Sequence, residues 1–199
     1  MKVAIIPVTP FQQNCSLLVC TQSNKAAVVD PGGDLDRILD AVKAQGVELE
    51  KILLTHGHFD HCGGTAELSN ELGLPVEGPH IDDRFLIDDL PQQSLRFGLP
   101  QLEAFTPARW LLGGDTVRFG QVELHVRHCP GHTPGHVIFF SSEYRLALSP
   151  EAAWGLASRL FAQVRRKSVV RQRLSAINDL HSPTIFTNTR FFRPPSNSP

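Results

Sequence analysis

Ile52-Leu53-Leu54-Thr55-His56-Gly57-His58-Phe59-Asp60-His61-Cys62-Gly63-Gly64 is the stretch on which the reading of this chain turns. An apolar, strand-like run feeds directly into His56, His58, Asp60 and His61. A strand running out into a loop projects His56 and His58, two residues apart, to one side. The turn that follows brings Asp60 and His61 to an adjacent position. Three imidazoles and a carboxylate at this density suit one or two borderline divalent cations, Zn2+ foremost. Gly57, Gly63 and Gly64 let the backbone bend tightly around them. A loop of surface histidines would account for one such residue, but not for four donors closing an apolar strand.

A second constellation lies downstream: His128-Cys129-Pro130-Gly131-His132-Thr133-Pro134-Gly135-His136. It also follows a strand-like run, and its glycines and prolines fix histidines at defined points of a loop. His132 is the candidate ligand. His136 opens the next strand and reads as a core residue or a support to the ligands, while His128 is open to either role. Cys129 and Cys62 stand beside the ligands and could pass for nucleophiles, but small buried thiols are the better reading.

The rest of the chain supplies a frame for these loops. Its 199 residues are enough for one domain with a sizeable core, at an ordinary 41% hydrophobic and 20% charged. Val3–Val8, Ser16–Cys20, Ala26–Asp30 and Lys51–Thr55 read as strands. Asp34 is placed as the N-cap of a helix carrying Leu35, Ile38, Leu39 and Val42, which Gly46 ends. Ala66, Leu68, Leu72 and Gly73 mark a second helix, and Asp82–Phe97 a helical stretch broken at Pro91. Thr116–Phe119 and Val122–Val126 flank a Gly120-Gln121 hairpin turn, and Val137–Phe140 pairs with Arg145–Leu148. Helices interleaved with hairpins predict an α/β sandwich rather than a purely parallel sheet.

Thr55 to His61 together with Pro130-Gly131-His132-Thr133-Pro134-Gly135-His136 resembles the metallo-β-lactamase superfamily. Within it the chain is similar to the glyoxalase II-like (hydroxyacylglutathione hydrolase-like) branch, particularly its short bacterial members. Ile6-Pro7-Val8, Gln13-Asn14-Cys15, Val29-Asp30-Pro31-Gly32-Gly33-Asp34 and Gly114-Asp115 fit the same group. The likeness covers residues 1–148 and implies a four-layer αββα sandwich with metals at one edge of the paired sheets. It implies that His56, His58 and His132 hold a first metal, and that Asp60 and His61 contribute to a second, with Asp60 the candidate catalytic carboxylate. Two zinc ions per chain are the family pattern, with one ion or partial occupancy expected here.

That expectation of partial occupancy comes from residues 149–199. The family pattern also asks for an aspartate in a later Gly-Asp and a histidine in a Gly-His-Gly near the C-terminus. Here Leu146-Ala147-Leu148-Ser149 runs into Pro150-Glu151-Ala152-Ala153-Trp154, and the only later histidine is His181. The charge breaks at the same place. Residues 1–149 carry 11 Lys and Arg against 18 Asp and Glu, while residues 150–199 carry 8 against 2. The basic residues lack interleaved aromatics or a recognisable module, so no nucleic-acid partner is read from them. The chain therefore divides into a metallo-β-lactamase-like domain, 1–148, and a divergent, poorly ordered segment, 149–199. A one-base shift accounts for the break: codons for Gly-Gly-Val such as GGC GGC GTG G, read one base late, give Ala-Ala-Trp.

The resemblance implies hydrolysis of a thioester such as S-lactoylglutathione by metal-bound hydroxide. A thiolate leaving group, with a pKa near ~8.5, needs little acid assistance. A metal site without a dedicated Ser or Cys nucleophile therefore suits a thioester. Three alternatives stand beside it: a catalytically impaired metal-binding remnant, an iron-dependent persulfide dioxygenase and, less fitting, a lactamase. No apolar run reaches the ~18 residues of a membrane span, and the N-terminus lacks a signal-peptide pattern. Cys15, Cys20, Cys62 and Cys129 show no disulfide or zinc-ribbon spacing. The expectation is a cytoplasmic protein with a small-molecule partner and no membrane partner; nothing in the sequence fixes an oligomeric state.

Overall fold

The computed structural model describes residues 1–149 and the backbone of the strand Thr184–Thr187. Strands β1 (Lys2–Val8), β2 (Gln13–Val19) and β3 (Lys25–Val29) form an antiparallel meander. Helix α1 (Leu35–Gln45) then crosses over to β4 (Glu48–Leu53), which runs parallel to β3. Helices α2 (Phe59–Cys62) and α3 (Thr65–Leu72) return the chain to β5 (Val76–Glu77), parallel to β4. A short 3-10 turn at Ile81–Asp83 leads into α4 (Arg84–Asp88) and α5 (Leu90–Arg96). The second sheet is built from β6 (Thr116–Phe119), β7 (Val122–His128), β8 (Val137–Ser141) and β9 (Leu146–Ser149), all antiparallel neighbours. Strand β10 (Thr184–Thr187) adds parallel to β9. The two sheets have the orders β1-β2-β3-β4-β5 and β10-β9-β8-β7-β6.

Strand periodicity decides which side chains face which layer. On β3, Ala26 and Val28 join the core beneath the helices, while Ala27 and Val29 join the core between the sheets. Leu17 and Leu18 divide the same way, as do Ile52 and Leu53. Val117, Phe119, Leu124, Val126, Val137, Phe139, Leu146 and Leu148 meet them from the second sheet. The first sheet is thus apolar on both faces, which is why its strands read as continuous hydrophobic runs rather than alternating ones. Helix α1 anchors the outer layer through the fully buried Ile38, a burial worth about 1.5–3 kcal/mol.

Boundaries shift by a few residues from the sequence expectation, and one break is differently placed. The helical stretch 82–97 interrupts at Asp89 between α4 and α5, and Pro91 sits in the first turn of α5, where its missing N–H is harmless. Asp34 does occupy the N-cap of α1, but in a left-handed conformation (φ 49°), and its carboxylate accepts the Thr9 N–H rather than capping the helix. Gly46 and Gly73 end α1 and α3 at positive φ as expected. Among the described residues no helix is long and apolar enough to cross a membrane. Glu151, Asp179, His181 and the fourth layer of the expected sandwich lie outside the described residues.

Candidate metal centre

Strand β4 ends at Leu53, and its continuation delivers Thr55 and His56 fully buried at the sheet edge. Asp30, just past parallel strand β3, is also fully buried and has φ 54°. The Asp30 carboxylate accepts the Thr55 N–H at 2.7 Å and the Thr55 hydroxyl at 2.6 Å. That leaves the Thr55 oxygen to accept from His56 Nδ1 at 3.0 Å. This chain assigns the proton of His56 to Nδ1 and leaves Nε2 with its lone pair. Nε2 is buried and has no hydrogen-bond partner among the described residues. Burial, followed by the neighbouring histidines His61 and His58, holds the His56 pKa well below the ordinary imidazole value.

Half-buried His58 and the more open His132 complete one group. Their Nδ1 and Nε2 lie 3.2 Å apart, although the residues are 74 positions apart in sequence. One donor atom from each of His56, His58 and His132 falls within 4.8 Å of the others. Burial, then each other's field or that of His61, lowers the pKa of His58 and His132 too. An N–H···N hydrogen bond between His58 and His132 accounts for that one contact, and the three imidazoles together also offer a cation three nitrogen donors.

His61, carried on α2, lies on the other side of Asp30. Its Nδ1 is 3.0 Å from Asp30 Oδ2 and 3.2 Å from the Gln13 side-chain amide. Burial opposes a charge on His61, but the Asp30 hydrogen bond and the fields of Asp30 and Asp60 together raise its pKa above the ordinary value. Asp30, His56 and His61 form the second group of potential ligands. Asp60, half-buried, is outside both groups; its Oδ2 comes to 3.7 Å from His61 Nε2. Asp30 already accepts three donors, so it acts as the support that fixes the tautomers of His56 and His61.

A second buried carboxylate joins the two loops. Asp83 accepts the Gly57 N–H at 2.9 Å, the Thr133 hydroxyl at 2.7 Å and the Gly135 N–H at 2.6 Å. A Cβ at Gly135 would sit 2.5 Å from Asp83 N, and one at Gly32 would sit 1.7 Å from Asp60 O. Both glycines are required because backbone passes there against backbone. Asp30, Thr55, Asp83, Gln13 and Thr133 were not among the site residues expected from sequence. Asp30 stood in the Asp-Pro-Gly-Gly run quoted above, but its support role needs β3 and β4 side by side. Asp83 carried no signal at all within its helical stretch.

His136, His128, Cys62 and Cys129 flank the candidate ligands in sequence and take other roles. His136 is buried, directs Nδ1 to the Cys129 carbonyl at 3.2 Å, and has no partner for Nε2 among the described residues. Its pKa is lowered to about 4, first by burial and then by His132. His128 Nε2 donates to the Pro134 carbonyl at 2.8 Å, and its ring stacks on His80 at 3.9 Å. Burial pushes the Cys62 thiol well up and the Cys129 thiol to about 11, so neither forms a thiolate nucleophile at neutral pH.

The donors fit a metal. Two nitrogens bound to one tetrahedral zinc at about 2.0–2.1 Å stand roughly 3.3 Å apart. The 3.2 Å between His58 and His132 matches that spacing. Beside them the lone pair of His56 Nε2 is buried, without a partner among the described residues.

Comparison with known proteins agrees with the geometry. The profile of the Metallo-beta-lactamase superfamily matches residues 8–149. The chain belongs to the metallo-beta-lactamase superfamily. Within that superfamily it is similar to hydroxyacylglutathione hydrolase GloC of Haemophilus influenzae, 41% identical over 150 residues, 75% of this chain and 70% of that protein. It is also similar to the probable metallo-hydrolase YqgX of Bacillus subtilis, 31% identical over 151 residues, again 75% and 70%. Among solved structures, TTHA1623 in a di-iron-bound form aligns with a TM-score of 0.68 and 29% identity, covering 80% of this chain and 86% of that one. The BLEG-1 B3 metallo-beta-lactamase aligns at 0.66 and 28%, covering 74% and 70%. This metallo-beta-lactamase superfamily member is glyoxalase II-like, and its fold, donor set and relatives support a metal-dependent hydrolase with a small-molecule substrate.

Proposed function

We propose that this protein hydrolyses thioesters of the 2-hydroxyacyl-glutathione type, with zinc held by His56, His58 and His132. His61 and Asp60 stand on the side where a second ion would bind. The observation that carries the reading is the buried, unpartnered Nε2 of His56 beside two imidazole nitrogens 3.2 Å apart. The 41% identity to a hydroxyacylglutathione hydrolase supports the thioester. A divalent cation held by His56, His58 and His132 would supply Lewis acidity, lowering the pKa of a water toward about 7 and polarising a scissile carbonyl.

The protein's own groups do the rest. Asp30 and Thr55 keep His56 in the tautomer that presents Nε2. Asp30 likewise keeps the proton of His61 on Nδ1, leaving its Nε2 toward Asp60. Asp60 is the candidate catalytic carboxylate: half-buried at the rim, it can accept a hydrogen bond from an attacking water and orient it. The leaving thiolate, with a pKa near ~8.5, departs without a dedicated acid.

Zinc stoichiometry measured on the purified protein alongside S-lactoylglutathione hydrolysis tests the proposal. At least one zinc per chain with turnover is the expected result. Substoichiometric zinc without turnover overturns it in favour of an impaired metal-binding remnant, consistent with the missing Gly-Asp and Gly-His-Gly. Turnover only of glutathione persulfide, with iron and oxygen uptake, overturns it in favour of a dioxygenase.

A further inference from the structure

A cleft of about 590 Å³ opens from the metal centre, walled by His58, Phe59, Asp60, Phe85, Leu86 and Phe97. Its volume falls in the range of small-molecule pockets. Phe97 packs on Phe59 at 4.6 Å between ring centroids, and Phe11 meets Phe59 edge-on at 5.4 Å. The aromatic wall therefore begins one residue from Asp60 and runs outward. Phe85 and Phe97 are nonetheless 56% and 57% exposed, large apolar surface left in water beside the reacting centre.

Beyond His58 and Asp60 at the metal end, the polar groups of the cleft are engaged with one another or with its wall. Gln93 accepts the Phe59 N–H at 3.3 Å and donates to the Leu86 carbonyl at 2.6 Å, so its amide serves the wall and not a ligand. Arg96 is paired with Asp89 at 3.0 Å at the rim. Among the described residues the cleft thus offers chiefly apolar surface, and the charge of its rim cation, Arg96, is balanced by Asp89. The glutathionyl half of a thioester carries two carboxylates and an ammonium, which this lining does not answer. The acyl half has only its carbonyl and α-hydroxyl to satisfy, and those lie at the metal end.

We infer that this cleft is the acyl subsite, and that Phe97 and Phe85 set a preference for apolar, and specifically aromatic, 2-hydroxyacyl groups. The inference rests on the thioesterase reading above. Burial of a phenyl ring against Phe97 and Phe85 gives S-mandeloylglutathione a kcat/KM about tenfold above that of S-lactoylglutathione, at the low end of the discrimination of a single methylene in an apolar pocket.

The test is the ratio of kcat/KM for these two thioesters, measured on the zinc-loaded protein, on Phe97→Ala, on Phe97→Leu and on the control Leu72→Ala. The expected pattern is a mandeloyl preference that collapses toward unity in Phe97→Ala, survives in part in Phe97→Leu and is unchanged in Leu72→Ala. Hydrolysis of both thioesters by the unmodified protein with no mandeloyl preference overturns the subsite and leaves the thioesterase reading standing, even if Phe97→Ala does not fold. Hydrolysis of neither overturns both.

Discussion

The Asp83 carboxylate accepts the Thr133 hydroxyl at 2.7 Å across 50 residues of sequence, and through it the two histidine loops are held in one register. The same carboxylate takes the N–H groups of Gly57 and Gly135, each next to or near a candidate ligand. Asp83→Asn places an NH2 group among donors and leaves at least one of them unpaired. The expected cost is roughly 2–4 kcal/mol by chemical denaturation, with zinc affinity at least about tenfold weaker. Unchanged zinc affinity in a folded variant would remove Asp83 from any role in positioning the ligands.

Thr55 relays Asp30 to His56, so its hydroxyl matters more than its bulk. Thr55→Val keeps the shape but deprives His56 Nδ1 of its acceptor. The ring is then free to take the other tautomer, and metal affinity falls about 10–100-fold while the fold loses only about 1–2 kcal/mol. Competition titration against a chromogenic chelator reads the affinity; equal affinities for the two proteins would show that the tautomer is not set here.

His58→Ala and His132→Ala each take one nitrogen from the pair 3.2 Å apart. Both are expected to lose the tightly held ion in equilibrium dialysis. His136→Gln is expected to keep it, because His136 is tied to the Cys129 carbonyl and supports the group from behind. Loss of the ion in His136→Gln would move that residue into the ligand set.

The metal-free protein should lose stability as pH falls below neutrality. The His136 pKa is held at about 4 in the folded chain, against 6.5 ordinarily. Between these values the unfolded state binds the proton and the folded state does not, so stability decreases with decreasing pH. The contribution is complete above pH 6.5 and lost by about pH 4, roughly 3 kcal/mol from this residue. His56, with its pKa lowered by burial, acts in the same direction. His61, with its pKa raised, opposes them, gaining stability as pH falls toward 6.5. Urea midpoints between pH 7.5 and 4.5 check this, and His136→Gln should flatten the profile; a flat wild-type profile contradicts it.

The segment 149–199 invites a test on the gene itself. The charge reversal and the absent Gly-Asp and Gly-His-Gly begin together after Leu148. We expect one of the other two frames beyond that codon to encode both motifs at matching places. If neither frame does, the C-terminus is a natural divergence and the one-base shift is discarded.

The residues alone singled out His56, His58 and His132 as candidate ligands, because a ligand cluster needs dense donors on a loop after a strand; their grouping was what the family resemblance implied. Sequence was also enough for the sandwich, because short apolar runs punctuated by Gly, Asn and Pro leave few other ways to bury both faces of a sheet. It could not supply Asp30 or Asp83. A buried carboxylate is tolerated only where several donors meet it, and those donors come from Thr55 and His61 in one case and from Gly57, Thr133 and Gly135 in the other. Such partners lie 25 to 52 residues away, and no local pattern records them. The candidate ligands are a property of the loops. Their tautomers and spacing belong to the tertiary structure, because only the packed sheets bring the orienting carboxylates within hydrogen-bond reach.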